Sequence, residues 1–366
     1  MTPVLTIAIP TRNRAKFLQK NLDGIIEQIE KLPRDIAEIF VSNNASTDGT
    51  DKILSEYASR YKFFRYVTQS KNLGANRNFY TVLKEACGEY VWLLGDDDAI
   101  VETCITSILS DIKKYNEPDI IIGGTENDNT HQRVYFPDIK THIFNDKAVL
   151  KKYDLINLAG KMSVLIFKKT SLDHVLDAGW TSIYEMKTPW PHLVWFIEML
   201  LNSGKILILP YSTNYIVSDS RYNLIQDGLV RLNILVVEYA ALLIKILSGA
   251  DEEIKLFSYQ HIAQKRIGEL LKILAYSTYL NGYGQTIKAA FEALKKMPLK
   301  ANKVIFTGFY LFPSLLPIFF RKWLFKIPLI LRPNWLAYKD FIRYLQEVSR
   351  LQKVEHQGRN FNPQDL

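Results

Sequence analysis

At 366 residues the chain is long enough for one large domain with an appendage. A composition of 48% hydrophobic against 23% charged residues excludes a disordered chain, and two cysteines exclude a disulfide-built scaffold and fit a reducing compartment. Of the formal net charge of +8, nearly all gathers in residues 300–366, where eleven Lys/Arg face four acids, in a segment too apolar for a solvated nucleic-acid surface.

Residues 3–9 open the chain as a β-rich run with no basic leader before it. Phe17, Leu18, Leu22, Ile25, Ile26 and Ile29 then recur at helical spacing, and further β-rich runs at 37–42, 63–68, 89–94 and 119–123 are separated by helical patterns. This alternation predicts a mostly parallel α/β sheet that binds its ligands beyond the carboxyl ends of the strands. The polar motifs fall there. Pro10, Thr11 and Arg14 follow the first strand; Ser42, Asn43, Asn44, Ser46 and Asp48 follow the second; Asn72, Gly74, Arg77 and Asn78 precede a helix. Asp96, Asp97 and Asp98 follow the fourth strand. Three adjacent carboxylates leaving an apolar strand repel one another unless a cation or a ligand's hydroxyls lie between them. Hard oxygen ligands of this kind suit Mg²⁺ or Mn²⁺ carrying a phosphorylated substrate. Asp48, Gly49 and Thr50 read as the cap of the next helix, and Cys87 as a core thiol.

Residues 126–160 are polar and irregular, and 162–167 read as another strand. Residues 180–191 form an aromatic- and proline-rich loop before a helix from about His192 to Asn202, and 206–209 form a strand ending at Pro210. Residues 218–222 have the composition of a lid, and a domain boundary is expected near 225. A helical region spans 226–300 and a basic, aromatic, membrane-associating region spans 301–366. Within it, 304–320 carries no charge but is broken by Pro313 and Pro317, which favours an interfacial or re-entrant element over a bilayer span.

In order and approximate spacing the four motifs resemble those of the family 2 glycosyltransferases, over roughly the first hundred residues and more loosely to about residue 217. The forms Ser42-Asn43-Asn44-Ala45-Ser46 and Leu94-Gly95-Asp96-Asp97-Asp98 are most similar to deoxysugar (abequosyl-type) transferases of bacterial surface polysaccharides. The resemblance implies a GT-A (Rossmann-like) α/β fold over residues 1–225, a mostly parallel sheet flanked by helices. It implies inverting, metal-dependent transfer of a sugar from a nucleotide-diphosphate donor, UDP or dTDP favoured, to a glycan acceptor. The aromatic and basic tail adds a lipid-linked acceptor at the cytoplasmic face of the cell membrane, an anionic surface.

Residue by residue, the resemblance places Pro10, Thr11 and Arg14 along base and ribose. It adds Asn43, Asn44, Asn72, Arg77 and Asp96 on the nucleotide or donor, and Asp96, Asp97 and Asp98 around Mn²⁺ or Mg²⁺. Arg221, in the expected lid, would reach a phosphate. Relatives carry an aspartate in the pair matching Asn43 and Asn44, so the nucleobase stays open. They also carry an acidic pair where this chain has Pro191 and His192; His192 is the expected general base, with Glu185 its rival. Two other readings stand beside this one. A sugar nucleotidyltransferase would open with a glycine-rich loop, which Pro10 to Arg14 lacks, whereas an inactive membrane-associated partner would explain the departures at Asn43, Asn44 and His192.

Overall fold

Strand β1 (Leu5–Thr11) is buried along its whole length and organises the parallel part of the sheet, with β2 (Ala37–Asn43) on one side and β4 (Tyr90–Leu93) on the other. The computed structural model describes residues 2–127, 142–144, 155–186, 188–202 and 204–216. The remaining elements are α1 (Ala15–Ile29), α2 (Thr50–Arg60), β3 (Phe64–Thr68), α3 (Ala75–Lys84), α4 (Cys104–Lys114), β5 (Ile120–Asn127) and β6 (His142–Phe144). They continue with α5 (Leu155–Ala159), a 3-10 turn (Met162–Val164), β7 (Leu165–Lys168), α6 (Lys169–Met186), α7 (Pro191–Leu201) and β8 (Ile206–Ile216).

Among the described residues, eight strands form one sheet in the order β3-β2-β1-β4-β7-β5-β8-β6. β3, β2, β1 and β4 run parallel, β7 is antiparallel to both β4 and β5, β8 is parallel to β5, and β6 closes the edge antiparallel. This is the expected mostly parallel α/β sheet. Both faces are covered, so the strands are apolar on both sides. Ile7, Ile9, Ile39, Val41 and Trp92 pack with α1, α2 and α4, while Ala8, Phe40, Val91 and Leu93 pack with α3, α6 and α7.

Two glycines set close approaches in this packing. A Cβ on Gly88 would stand 2.6 Å from the Thr6 backbone nitrogen, and one on Gly179 would stand 2.6 Å from Cδ1 of the buried Trp195. Gly88 thereby lets the start of β4 close onto β1, and Gly179 lets α6 lie against α7.

Several expectations need correction. Residues 180–186 are helical, because Leu172, Val175, Leu176 and Ile183 repeat on one buried face and carry α6 past the aromatic cluster. β8 does not stop at Pro210 but runs on to Ile216, and the irregular stretch after 125 contains β6 and α5. Register shifts in β5 around Gly124 accommodate the longer pairing. Cys87 is exposed; the buried thiol is Cys104, since α3 ends at Lys84 and the helical period no longer directs residue 87 inward. The boundary near 225, the helical region 226–300 and the tail 301–366 lie outside the described residues. Among the described residues no helix is long and apolar enough to cross a membrane.

Candidate active site

From β1 the chain passes to β2 and β3 on one side and later returns to β4 on the other. A crevice therefore opens beyond the carboxyl ends of β1 and β4, the usual place for a ligand in an open α/β sheet. The aspartate loop lies there, with a different partner for each carboxylate. The Thr11 hydroxyl, from β1, donates to Asp96 Oδ2 at 2.7 Å. The Ser163 hydroxyl, from the turn before β7, donates to Asp98 Oδ2 at 2.5 Å and accepts from the Gly95 N–H at 2.9 Å. Asp97 meets Arg14 Nη1 at 3.5 Å and keeps 36% of its side chain exposed. Burial pushes Asp96 up to about 7 and Asp98 up to about 6, against the lowering effect of the Thr11 and Ser163 hydroxyls. Asn21 Nδ2 donates to the Gly95 carbonyl at 3.0 Å and Trp92 Nε1 to the Ser163 carbonyl at 2.8 Å, so the loop is fixed by α1 and the pre-β7 turn as well.

The second and third motifs form the neighbouring wall. Asn44 Nδ2 donates to Asn72 Oδ1 and the Gly74 carbonyl, and Asn44 Oδ1 accepts from the Leu73 N–H at 2.8 Å. Asn43 Oδ1 accepts from the Ser46 N–H, and its amide donates to Thr68. Both side chains are buried, which corrects the expectation that they face a nucleobase: their amides hold the loops that flank the crevice. Asn78 on α3 accepts from the Ser42 hydroxyl and donates to the carbonyls of Thr11 and Ser42, tying α3 to the ends of β1 and β2. Asp48 accepts from the N–H and hydroxyl of Thr50 and from the Ala15 N–H, joining the start of α2 to that of α1. Pro10 and Thr11 are buried strand residues, so Thr11 acts on the site through Asp96.

Arg77 is exposed, its guanidinium 4.8 Å above the Tyr80 ring and 5.2 Å from that of Trp180. Among the described residues it makes no ion pair with the aspartates. Arg221 lies outside the described residues, and Glu185 sits in the last turn of α6 with its side chain outside them. His192 does stand at the start of α7, but it is 4% exposed and stacks on Phe79. Its Nε2 lies 3.1 Å from the Gly160 carbonyl, which places the proton on Nε2 and leaves Nδ1 a buried acceptor without a protein partner. Burial pushes the ring down to about 4. An imidazole sealed in this way cannot meet an acceptor hydroxyl, so the structure argues against His192 as general base.

Lys161 and Ser163, which the motif pattern did not mark, belong to the site. Lys161 is half-buried beside Asp98, and burial pushes its ammonium down to about 8 while the Asp98 charge opposes that shift. Neither residue shows a periodicity or spacing that could have announced it.

The three carboxylates do not converge on one point. Asp96 is engaged by Thr11, Asp98 by Ser163, and among the described residues no three His, Cys, Asp or Glu side chains group to hold an ion. The donor set does not fit a closed protein cage for a metal. It fits an ion that arrives with phosphate oxygens and takes one or two carboxylates, as Mg²⁺ commonly does.

The model of the glycosyl transferase family 2 matches residues 6–172. The chain is 30% identical over 217 residues to abequosyltransferase RfbV of Salmonella typhimurium, covering 56% of this chain and 63% of that protein. It is 27% identical over 184 residues to glycosyltransferase GlyA of Streptococcus pneumoniae, covering 50% and 24%. Among solved structures, S. aureus TarS 1–349 in complex with UDP-GlcNAc shares the fold, with a TM-score of 0.54 at 18% identity over 80% of this chain and 81% of that one. The chain thus spans less than two thirds of the length of the curated relatives it matches.

The buried His192 makes stability depend on pH. Its folded value near 4 lies below its ordinary 6.5, so the unfolded chain binds the extra proton as pH falls between the two. The stability held above pH 6.5 is then lost towards pH 4, by about 3 kcal/mol from this group. Urea unfolding at pH 7.5, 6 and 5 should show the wild type losing more stability than His192→Phe across that range. Parallel pH profiles would refute the assignment.

Proposed function

We propose, from the match of residues 6–172 to the model of the glycosyl transferase family 2, that the protein moves a sugar from a nucleotide-diphosphate donor to a glycan acceptor during surface polysaccharide synthesis. The observation that carries this reading is the crevice at the carboxyl ends of β1 and β4, where Arg14, Asp96, Asp97 and Asp98 meet beside the Asn72–Gly74 loop. The half-buried, hydroxyl-held Asp96 and Asp98 form its fixed floor. Asp97 is the carboxylate open to the incoming diphosphate and its ion. Asp97, with Asp96 or Asp98, would hold Mn²⁺ or Mg²⁺, which when bound offsets the charge that collects on the departing diphosphate.

The walls bear on what the donor is. Asn43 and Asn44 hold loop geometry, and Arg14 and the exposed Asn72 at this edge are proposed to meet the nucleotide, with UDP or dTDP the leading candidates. Arg77, one turn into α3, stands at the rim next to Trp180 and is placed to meet the donor sugar or the acceptor. Transfer is proposed to invert the anomeric carbon in one displacement: the acceptor oxygen bonds to that carbon as the bond to the diphosphate oxygen breaks, and a carboxylate takes the hydroxyl proton. With His192 sealed in the core, Glu185 is the proposed base.

The acceptor is proposed to be lipid-linked and presented at the cytoplasmic face of the cell membrane. The support is the basic, aromatic composition of 301–366.

Calorimetry with UDP, dTDP, GDP and CDP should find one that binds in the presence of Mn²⁺ and no longer binds to Asp97→Ala; a folded protein that binds none has no donor site. Glu185→Gln should lower kcat roughly a hundredfold with donor binding unchanged, and an unaltered kcat would take Glu185 out of the base role. The full chain should co-sediment with anionic vesicles more than a chain lacking 301–366. Equal sedimentation would remove the tail from membrane attachment.

A further inference from the structure

Helices α3 and α6 pack side by side and run in opposite directions. α6 leaves β7 at the amino end of β4, since Lys168 pairs with Tyr90, and climbs towards the carboxyl edge of the sheet. α3 starts at that edge and descends, because Asn78 near its start bonds the Thr11 and Ser42 carbonyls at the ends of β1 and β2. The contacts between the two helices step upwards accordingly: Lys84 with Asp177, Tyr80 with Trp180, then Arg77 with Trp180. Tyr184 continues the series one turn above Trp180, with ring centroids 6.4 Å apart. It therefore stands at the rim of the crevice, where Asn76 Nδ2 donates to the Thr188 carbonyl at 2.7 Å and fixes the start of α3 to the chain before α7.

Burial does not account for these rings. Tyr184 is 73% exposed, the most open of the large apolar side chains among the described residues, and Trp180 is half-buried. Trp180 stands between Tyr80 and Tyr184 at an interplanar angle of 47° to each. The result is a ledge of tilted aromatic faces, with the Arg77 guanidinium on its upper side and the exposed Asp177 carboxylate on its lower side. A ligand that fits must offer C–H surface and hydroxyls together: the ring faces take C–H groups, Arg77 donates and Asp177 accepts. A pyranose ring offers both. An anionic membrane surface fits less well, because the Asp177 carboxylate offsets the Lys84 charge beside it.

Position indicates which sugar lies there. The donor's diphosphate is assigned to the aspartate loop, and Tyr184 directly precedes Glu185, the proposed base, in the last turn of α6. A ring resting on the ledge therefore approaches from the acceptor side. We infer that Trp180 and Tyr184 form the platform on which the acceptor's terminal sugar stacks, with Arg77 contacting its hydroxyls. This assignment rests on the transferase reading above and deepens it, since it names acceptor residues and requires the acceptor to end in a pyranose.

The test uses the full chain labelled with 5-fluorotryptophan, the Trp180 signal being identified by its loss in Trp180→Phe. The probes are the methyl glycosides of glucose, galactose, mannose, rhamnose and N-acetylglucosamine, and at least one should shift the Trp180 fluorine resonance in a saturable way. Tyr184→Ala should weaken that glycoside roughly fivefold, and Tyr184→Phe should retain it. Nucleotide affinity, measured by calorimetry, should match the wild type in both variants; Tyr184 is exposed, so neither disturbs the core. No saturable shift with any glycoside, or equal affinity in wild type and Tyr184→Ala, would overturn the platform while leaving the donor site standing. A shift produced by anionic vesicles and by no glycoside would overturn it in favour of membrane contact. A chain that binds none of UDP, dTDP, GDP and CDP would remove the transferase reading and the acceptor role with it.

Discussion

The hydrogen bond between Thr11 and Asp96 is the join on which the site depends. β1 and β4 lie side by side and their backbone pairing runs to the Leu94 N–H on the Ala8 carbonyl; beyond it, the Thr11 hydroxyl ties the loop after β4 to the end of β1. A buried carboxylate without a partner is costly, and the Thr11 hydroxyl is the group the neighbouring strand offers. The same demand recurs two residues later, where Asp98 is satisfied by Ser163 from the opposite side. With the first and third carboxylates held by hydroxyls, the middle one lies beside Arg14 with 36% of its side chain exposed. Three like residues in a row thus acquire unequal environments from hydroxyls on two other elements.

The sheet's change of direction at β7 makes the second of these contacts possible. β7 is antiparallel to β4, so the residues just before it lie at the carboxyl end of β4, level with the aspartate loop. A continuously parallel sheet would put the amino end of the next strand at the other edge. The reversal therefore carries Lys161 and Ser163 into the crevice, and α7 follows with His192 beneath them. Beyond β5, β8 extends past the expected stop, and its later residues pair with the chain just after Asp98: the Val101 N–H bonds to the Thr213 carbonyl and the Tyr215 N–H to the Ala99 carbonyl. The aspartate loop is held at both ends.

A buried amide is costly unless its polar atoms are hydrogen-bonded, so those at positions 43, 44 and 78 needed polar partners, and they found them in one another's loops. That is why a motif whose polarity suggests ligand binding is here largely architectural. His192 illustrates the same ambiguity. A polar, titratable residue at a helix start looks catalytic, but the remainder of α7 is so apolar (Leu193, Val194, Trp195, Phe196 and Ile197 are all buried) that the helix sinks into the core and takes the ring with it.

The sequence by itself determined the element types of the first five strands and the helices between them, the parallel α/β class and the strand ends at which polar motifs collect, because strand and helix periodicity and strand-end polarity are local properties of consecutive residues. It also marked Asp96, Asp97 and Asp98, since three carboxylates at the end of an apolar strand are conspicuous without a structure. Tertiary structure decided which of them faces outward, that Asn43 and Asn44 bind loops, that Arg77 lies on Tyr80 and Trp180, and that Lys161 and Ser163 belong to the site at all. These depend on pairs such as Thr11 with Asp96 or Asp98 with Ser163, 85 and 65 residues apart, and no local pattern records which distant hydroxyl will meet a given carboxylate.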